Sequence, residues 1–223
     1  MFERLITLIG KDKFSRLQST KVLVVGIGGV GGYALEALVR SGILNIAIID
    51  RDNIEISNLN RQIITSNENI GLTKVEVAKE RALKINPNLN ITDFKYNLDK
   101  TNIDEVLQNK YDYVIDACDT VSTKLLIIEK SLKYKYKFIS CMGTANKTNP
   151  ALFSITELSK TKNDSIARIL RRKVKELKIN KKIMVVSSTE TPVPTGKLGT
   201  VSYMPGVAGL LCASYVINDI TRK

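Results

Sequence analysis

The sequence predicts an α/β fold: a Rossmann-like, doubly wound, mostly parallel sheet with an irregular C-terminal extension that adds further strands and a basic helix. Three observations predict it. Short β-branched runs alternate with helical patterns as far as residue 150. A glycine-rich turn joins the first of those runs to the first helix. After Pro150 the alternation breaks, and a basic helix and a loop rich in Pro, Thr and Gly follow.

Residues 21–25, Lys-Val-Leu-Val-Val, read as a buried strand that ends in glycines. Residues 30–41 carry Ala34, Leu35, Leu38 and Val39 at helical spacing, and Gly42 supplies the stop. A second strand at 46–49 closes on Asp50. The helix at 74–85 places Val75, Ala78 and Ala82 on one face and ends at Asn86-Pro87. A strand at 91–96, a short helix at 104–109, a buried strand at 113–115, a helix at 123–134 and a strand at 138–140 complete the regular part. The extension holds a strand at 151–156, the basic helix at 165–177, a strand at 182–187, the loop at 188–200 and a buried helix across 207–217. This last stretch is shorter than the roughly 20 residues of a bilayer span, and Met1-Phe2-Glu3-Arg4 lacks a signal-peptide pattern. The expectation is a cytoplasmic protein with no membrane contact, folded as a single domain over residues 1–223.

Composition narrows the chemistry. A hydrophobic share of 43% and a charged share of 25% suit an ordinary folded chain and exclude collagen-like or disordered classes. The absence of His removes every mechanism that needs a His base or ligand. Cys118, Cys141 and Cys212 lie far apart with no CxxC pair, so no four-thiolate zinc site or disulfide framework is expected. Cys118 and Cys212 read as buried small residues; Cys141 reads as core or as a crevice-lining thiol. The net charge of +12 is concentrated: residues 160–182 carry +8 and residues 124–137 carry +4. Either run suits a polyanion such as nucleic acid, or a solvated helix face. Arg168, Arg171 and Arg172, with Lys175, strengthen the nucleic-acid reading for the longer run, because guanidinium forks match phosphate.

Gly26-Ile27-Gly28-Gly29-Val30-Gly31 occupies the strand-to-helix turn that a nucleotide fingerprint requires. Gly26 permits the turn, Gly28 lets backbone approach a phosphate, and Gly31 lets helix and strand pack closely. Asp50, at the end of the second strand, suits ribose hydroxyls of either NAD or ATP. Arg61 and Lys74 separate the two, because a triphosphate uses two such cations and a nicotinamide dinucleotide does not need them there. Asp119 follows the strand at 113–115 and faces the same crevice, as a magnesium ligand, a helix N-cap, or both.

Together, Gly26 to Gly31, Asp50-x-Asp52, Asn58-x-x-Arg61-Gln62, Lys74 after a Gly-x-x, Asn86-Pro87 and Asp116-x-x-Asp119 resemble the ubiquitin-activating-enzyme-like superfamily of ATP-dependent adenylating enzymes. The resemblance implies an ATP site built from Gly26, Gly28, Gly29 and Gly31, with Asp50 on the ribose, Asn58, Arg61 and Lys74 on the phosphates, Asp52 and Gln62 beside them, and Asp119 on Mg2+. Arg4 is similar to an N-terminal arginine that reaches the partner subunit's ATP in a homodimer. The ATP part would span residues 21–140, and the substrate and dimer part 141–223.

Within the superfamily, residues 4–10, 26–31, 37–42, 58–62 and 113–117 are most similar to the tRNA threonylcarbamoyladenosine dehydratases. Residues 156–161 with Asp164 and the basic helix, and residues 186–190, extend the match. The resemblance implies adenylation of a threonyl carboxylate beside the tRNA anticodon, then ring closure with release of AMP. It also brings in a sulfur-transfer protein as a possible partner class. Asp164 is followed by Ser165 where that group often has proline, and the loop before Thr200 is short. The rival readings are adenylation of a small sulfur-carrier protein, disfavoured by the missing zinc cysteines; an NAD-dependent dehydrogenase; and a non-catalytic RNA-binding module.

Overall fold

In the computed structural model, which describes residues 1–222, one seven-stranded sheet runs through the chain. The strands are β1 (Lys21–Val25), β2 (Asn45–Ile49), β3 (Asn90–Phe94), β4 (Tyr113–Asp116), β5 (Lys137–Cys141), β6 (Phe153–Glu157) and β7 (Met184–Ser188). The helices are α1 (Glu3–Ile9), α2 (Lys11–Ser19), α3 (Gly31–Arg40), α4 (Lys74–Ile85), α5 (Ile103–Leu107), α6 (Val121–Tyr134), α7 (Ser165–Glu176) and α8 (Tyr203–Arg222). The strand order is β3-β2-β1-β4-β5-β7-β6, and only β6 runs antiparallel to its neighbour. Chain order reverses between β1 and β4, where Val25 pairs with Asp116. That reversal opens a crevice at the carboxyl ends of the strands.

Alternating strand residues feed two cores, because successive side chains point to opposite faces. Val22, Val24, Ile46, Ile48 and Ile115 pack with residues of α3, α4 and α8. Leu23, Val25, Ala47, Ile49 and Val114 pack with α5, α6 and α7. The expected strands and helices of the regular part form within a few residues of their predicted bounds.

The extension differs more. The strand expected at 151–156 begins only at Phe153, because Asn149 caps a 3-10 turn with Pro150 at its start. The C-terminal helix expected at 207–217 runs from Tyr203 to Arg222. Pro205 does not stop it, since a first-turn N–H has no helical partner to lose. The two N-terminal helices have no counterpart among the elements expected from the sequence. Both are short, and α1 buries no residue. No helix among the described residues is long and apolar enough to cross a membrane.

The run at 124–137 is the clearest correction. Lys124 is fully buried, with its ammonium between the Asp116 oxygens at 3.2 Å. Lys130 and Lys133 pair with Asp104, and Lys137 pairs with Asp219. Four of the five lysines are thus matched to carboxylates, and the stretch is not a free cationic face. Lys124 stands i, i+3, i+4 and i+7 with Ile127, Ile128 and Ser131, the buried stripe of α6.

Helix α8 crosses α3 at close range. A Cβ on Gly209 would lie 2.2 Å from the Val30 carbonyl oxygen, and one on Gly206 would lie 3.3 Å from the Tyr33 ring. Gly209→Ala is therefore expected to force the helices apart and cost about 1–3 kcal/mol, the usual range for overpacking. Urea unfolding should show a lower midpoint at an unchanged slope.

Candidate active site

A cavity of about 1240 Å³ opens at the carboxyl ends of the strands, on both sides of the β1/β4 reversal. The turn after β1 forms its floor. Gly26 has φ +87°, and a Cβ there would lie 2.9 Å from the Cys118 nitrogen, so glycine is required for the turn. Gly31 does not line the cavity; its bare Cα lets α3 begin against the Gly26 carbonyl, 1.7 Å from where a Cβ would stand. Gly29 packs against Pro205 and the Arg61 carbonyl. Gly28 alone faces open space, since a Cβ there would meet only Gln62 Nε2, at 3.8 Å. Of the four glycines, Gly28 forms the cradle and the others shape it.

Asp50 directly follows β2 and braces this turn: its carboxylate accepts from Ile27 N at 2.6 Å and from Asp52 N at 2.9 Å. The family pattern implies a ribose contact for Asp50; the structure adds the tie to the glycine loop. Past Asp50, the chain folds through a 3-10 turn capped by Asn58, whose Oδ1 accepts from Glu55 N at 3.2 Å. Asn58 and Gln62 are buried, and Gln62 Oε1 has no hydrogen-bond partner among the described residues. Arg61 Nη1 donates to Ser57 O at 2.7 Å and to Asn60 Oδ1 at 2.9 Å, which holds the guanidinium at the rim.

Lys74 opens α4 behind the N-cap Thr73 and is 6% exposed. Its ammonium meets Asp52 Oδ2 at 2.8 Å, and Arg51 lies 3.5 Å from the other oxygen. Burial raises the Asp52 carboxyl, but these two cations outweigh it and hold the group below its usual range.

Asp119 is exposed, lines the cavity, and is not the helix N-cap: Thr120 takes that position. The Thr120 hydroxyl, at 3.3 Å, is its sole hydrogen-bond partner among the described residues. Beneath it, burial opposes the charge on Lys124, but the Asp116 carboxylate more than restores it and raises the ammonium's pKa. Cys118 donates to Asp116 Oδ1 at 3.0 Å, and burial beside that carboxylate pushes its thiol up. A thiol so held is no nucleophile at neutral pH. Cys141 and Cys212 are buried.

The sequence does not declare the far wall as a unit. Gly143 N donates to Asp164 Oδ2 at 2.9 Å, and Asp164 Oδ1 caps α7 by accepting from Ala167 N at 2.8 Å. Buried Lys147 bonds the Gly143 carbonyl at 3.0 Å. Asn146 holds the loop at 188–200 through bonds with Gly199, Lys197 and Val193. Neighbouring Asn-Lys and a helix-capping Asp are the only sequence signals for this wall.

The structure brings Gly26, Gly28, Gly29, Asp50, Asp52, Asn58, Arg61, Gln62, Lys74 and Asp119 to one cavity. Arg4 is exposed and does not line it. Of the four basic residues singled out on α7, Arg171 is tied to Thr161, and Arg172 lies 3.5 Å from Glu176. Arg168 and Lys175 are exposed with no such partner among the described residues.

The ThiF family profile matches residues 2–223. The tRNA threonylcarbamoyladenosine dehydratase of Bacillus subtilis is 34% identical over 99% of this chain and 94% of that protein. The protein of the same name from Escherichia coli is 35% identical, over 90% of this chain and 78% of that one. The crystal structure of the E. coli tRNA N6-threonylcarbamoyladenosine dehydratase in complex with ATP superposes with a TM-score of 0.95 at 32% identity, covering 99% of this chain and 93% of that one. Its complex with AMP gives 0.93 at 31%, covering 97% and 92%.

The Asp52–Lys74 pair gives a pH test. A lowered carboxyl pKa means its stabilising pair is fully present above the ordinary value of 3.8 and is lost as pH falls through the lowered one. NMR titration of Asp52 should find a midpoint below 3.8, and Lys74→Met should move that midpoint upward.

Proposed function

The chain belongs to the ThiF family, and on that premise we propose that it is an ATP-dependent tRNA threonylcarbamoyladenosine dehydratase. The observation that carries this reading is the convergence of four distant segments on one cavity: the glycine turn, the stretch from Asp50 to Gln62, Lys74, and the loop to Asp119. Gly28 supplies a cradle for phosphate, Arg61 and Lys74 supply cations, and the partnerless Gln62 Oε1 can accept from a nucleotide hydroxyl or amino group.

Asp119 fits a magnesium ion. It is an exposed carboxylate free of cationic partners at a strand end, and magnesium is commonly held by one or two carboxylates plus phosphate oxygens. Bound there, the ion would neutralise charge on the phosphates.

The chemistry needs no His and no thiol. A carboxylate is a poor electrophile, so the threonyl carboxylate oxygen attacks the α-phosphorus of ATP and pyrophosphate leaves. The neighbouring carbamoyl group then attacks the activated carbonyl carbon, loses a proton and expels AMP, which closes the ring. Arg61 and Lys74 stabilise charge that builds on the phosphate. The second step is intramolecular, so positioning supplies most of its advantage. Arg4, absent from its own chain's cavity, would complete the cavity of a second copy in a homodimer. Neither step transfers sulfur, so a sulfur-transfer protein would act as a regulator rather than a reactant. A tRNA substrate supports a cytoplasmic location.

Purified protein given ATP, magnesium and tRNA bearing threonylcarbamoyladenosine should convert the nucleoside to a product lighter by one water, detected by mass spectrometry of a mild digest. Asp119→Ala should slow this by roughly 100-fold or more. AMP release only with a carrier protein ending in Gly-Gly would favour the sulfur-carrier reading instead. The anticodon arm would meet the exposed cations of α7. The double variant Arg168→Ala, Lys175→Ala should weaken tRNA binding and reduce its salt slope by about 1 for each phosphate no longer neutralised. Arg171→Ala should chiefly loosen the Thr161 loop.

A further inference from the structure

Lys124 is a cation in the core, and nothing in the proposed chemistry uses it. Its ammonium is bonded on all sides: both Asp116 oxygens at 3.2 Å, Ser140 Oγ at 3.3 Å and the Cys141 carbonyl at 2.7 Å. Ser140 in turn donates to Asp116 Oδ2 at 2.5 Å.

These bonds join three pieces of the cavity wall. Asp116 is the last residue of β4, and the five residues from Asp116 to Thr120 carry the chain to the start of α6. Lys124 lies in the first turns of α6 and reaches back to Asp116, so the ion pair closes the base of the loop that bears Asp119. The bond to the Cys141 carbonyl fixes the end of β5, from which the wall at Met142 and Gly143 continues. The same loop is pressed against the glycine turn at Ala117 and Cys118.

We propose that Lys124 is a positioning residue for the adenylating reaction, holding the 116–120 loop so that Asp119 faces the phosphate cradle at Gly28. The inference rests on the adenylating reading of the cavity. A role in stability alone is a weaker account, because a buried ion pair can be replaced by apolar groups with little loss, whereas geometry at a loop base cannot.

Lys124→Met alone would strand a buried carboxylate, so the informative variant is Asp116→Asn with Lys124→Met, which removes both charges, keeps Oδ1 as the acceptor for Cys118 N and lets the amide NH2 donate to Ser140 Oγ. Circular dichroism and thermal unfolding establish that it folds. Calorimetry then measures ATP binding with and without magnesium. The expected result is unchanged affinity in metal-free buffer and loss of the magnesium-dependent strengthening by roughly 10–100-fold, the usual effect of removing a group that orients a metal ligand. Turnover should fall by a similar factor with the tRNA KM little changed, and the two substitutions placed on Asp119→Ala should cost nothing beyond the loss from Asp119→Ala alone. A folded double variant that keeps wild-type magnesium dependence, or one whose loss multiplies with that of Asp119→Ala, would overturn the proposal. The binding comparison needs no turnover, so a wild-type protein that fails to dehydrate its tRNA counts against the functional reading and leaves the positioning test intact.

Discussion

A side chain on Gly31 would put its Cβ 1.7 Å from the Gly26 carbonyl oxygen, and the nucleotide end of the cavity depends on that space staying empty. It lets α3 begin directly beneath the turn, so that the turn lies flat over the helix start and offers its backbone to a ligand. Gly26, in the left-handed region, makes the turn itself, and Asp50 fastens it by accepting from Ile27 N. Loop and helix pack as one unit, and it sits where the order of the parallel strands reverses.

Two ion pairs around this unit play different physical parts. Asp52 and Lys74 meet near the rim, where the Asp52 side chain is 52% exposed. Water screens such a pair, so it adds little to stability and can part when a phosphate competes for the ammonium. Asp116 and Lys124 meet where both side chains are 0% exposed. Taking two charges that far from water costs several kcal/mol apiece before their attraction is counted, and removing one partner alone costs about 3–5 kcal/mol. The arrangement therefore specifies a geometry more than it stabilises a fold. It ties β4, β5 and α6 together at the point from which Asp119 is presented.

The regular half of the molecule is legible in the sequence because its signals are local. Strands of four or five residues with β-branched side chains among them, glycine turns and the Asn86-Pro87 stop each declare an element without reference to the rest of the chain. The residues of the ATP-binding pattern arrive at one cavity because they lie on the connections that leave the ends of β1, β2 and β4, with Lys74 at the start of α4, and the topology gathers strand ends. What stays hidden depends on distant partners. Lys124 has the composition of a surface lysine and reads as one until Asp116 and Cys141 are placed beside it, although its spacing with Ile127 and Ile128 is a clue. Arg171 looks like a phosphate fork and is tied to Thr161. The true start of α8 is masked by Pro205 and Gly206, residues poor in helix propensity, and the bare Cα atoms of Gly206 and Gly209 are what the crossing with α3 requires.

In the proposed reaction, ATP activates the substrate's own carboxylate. Heavy-oxygen label placed in the threonyl carboxylate of the tRNA distinguishes this from every route in which ATP acts elsewhere. Attack on the α-phosphorus followed by ring closure leaves one carboxylate oxygen in the product AMP, so mass spectrometry should find one label per AMP. Unlabelled AMP from a reaction that still removes water from the nucleoside would contradict the account.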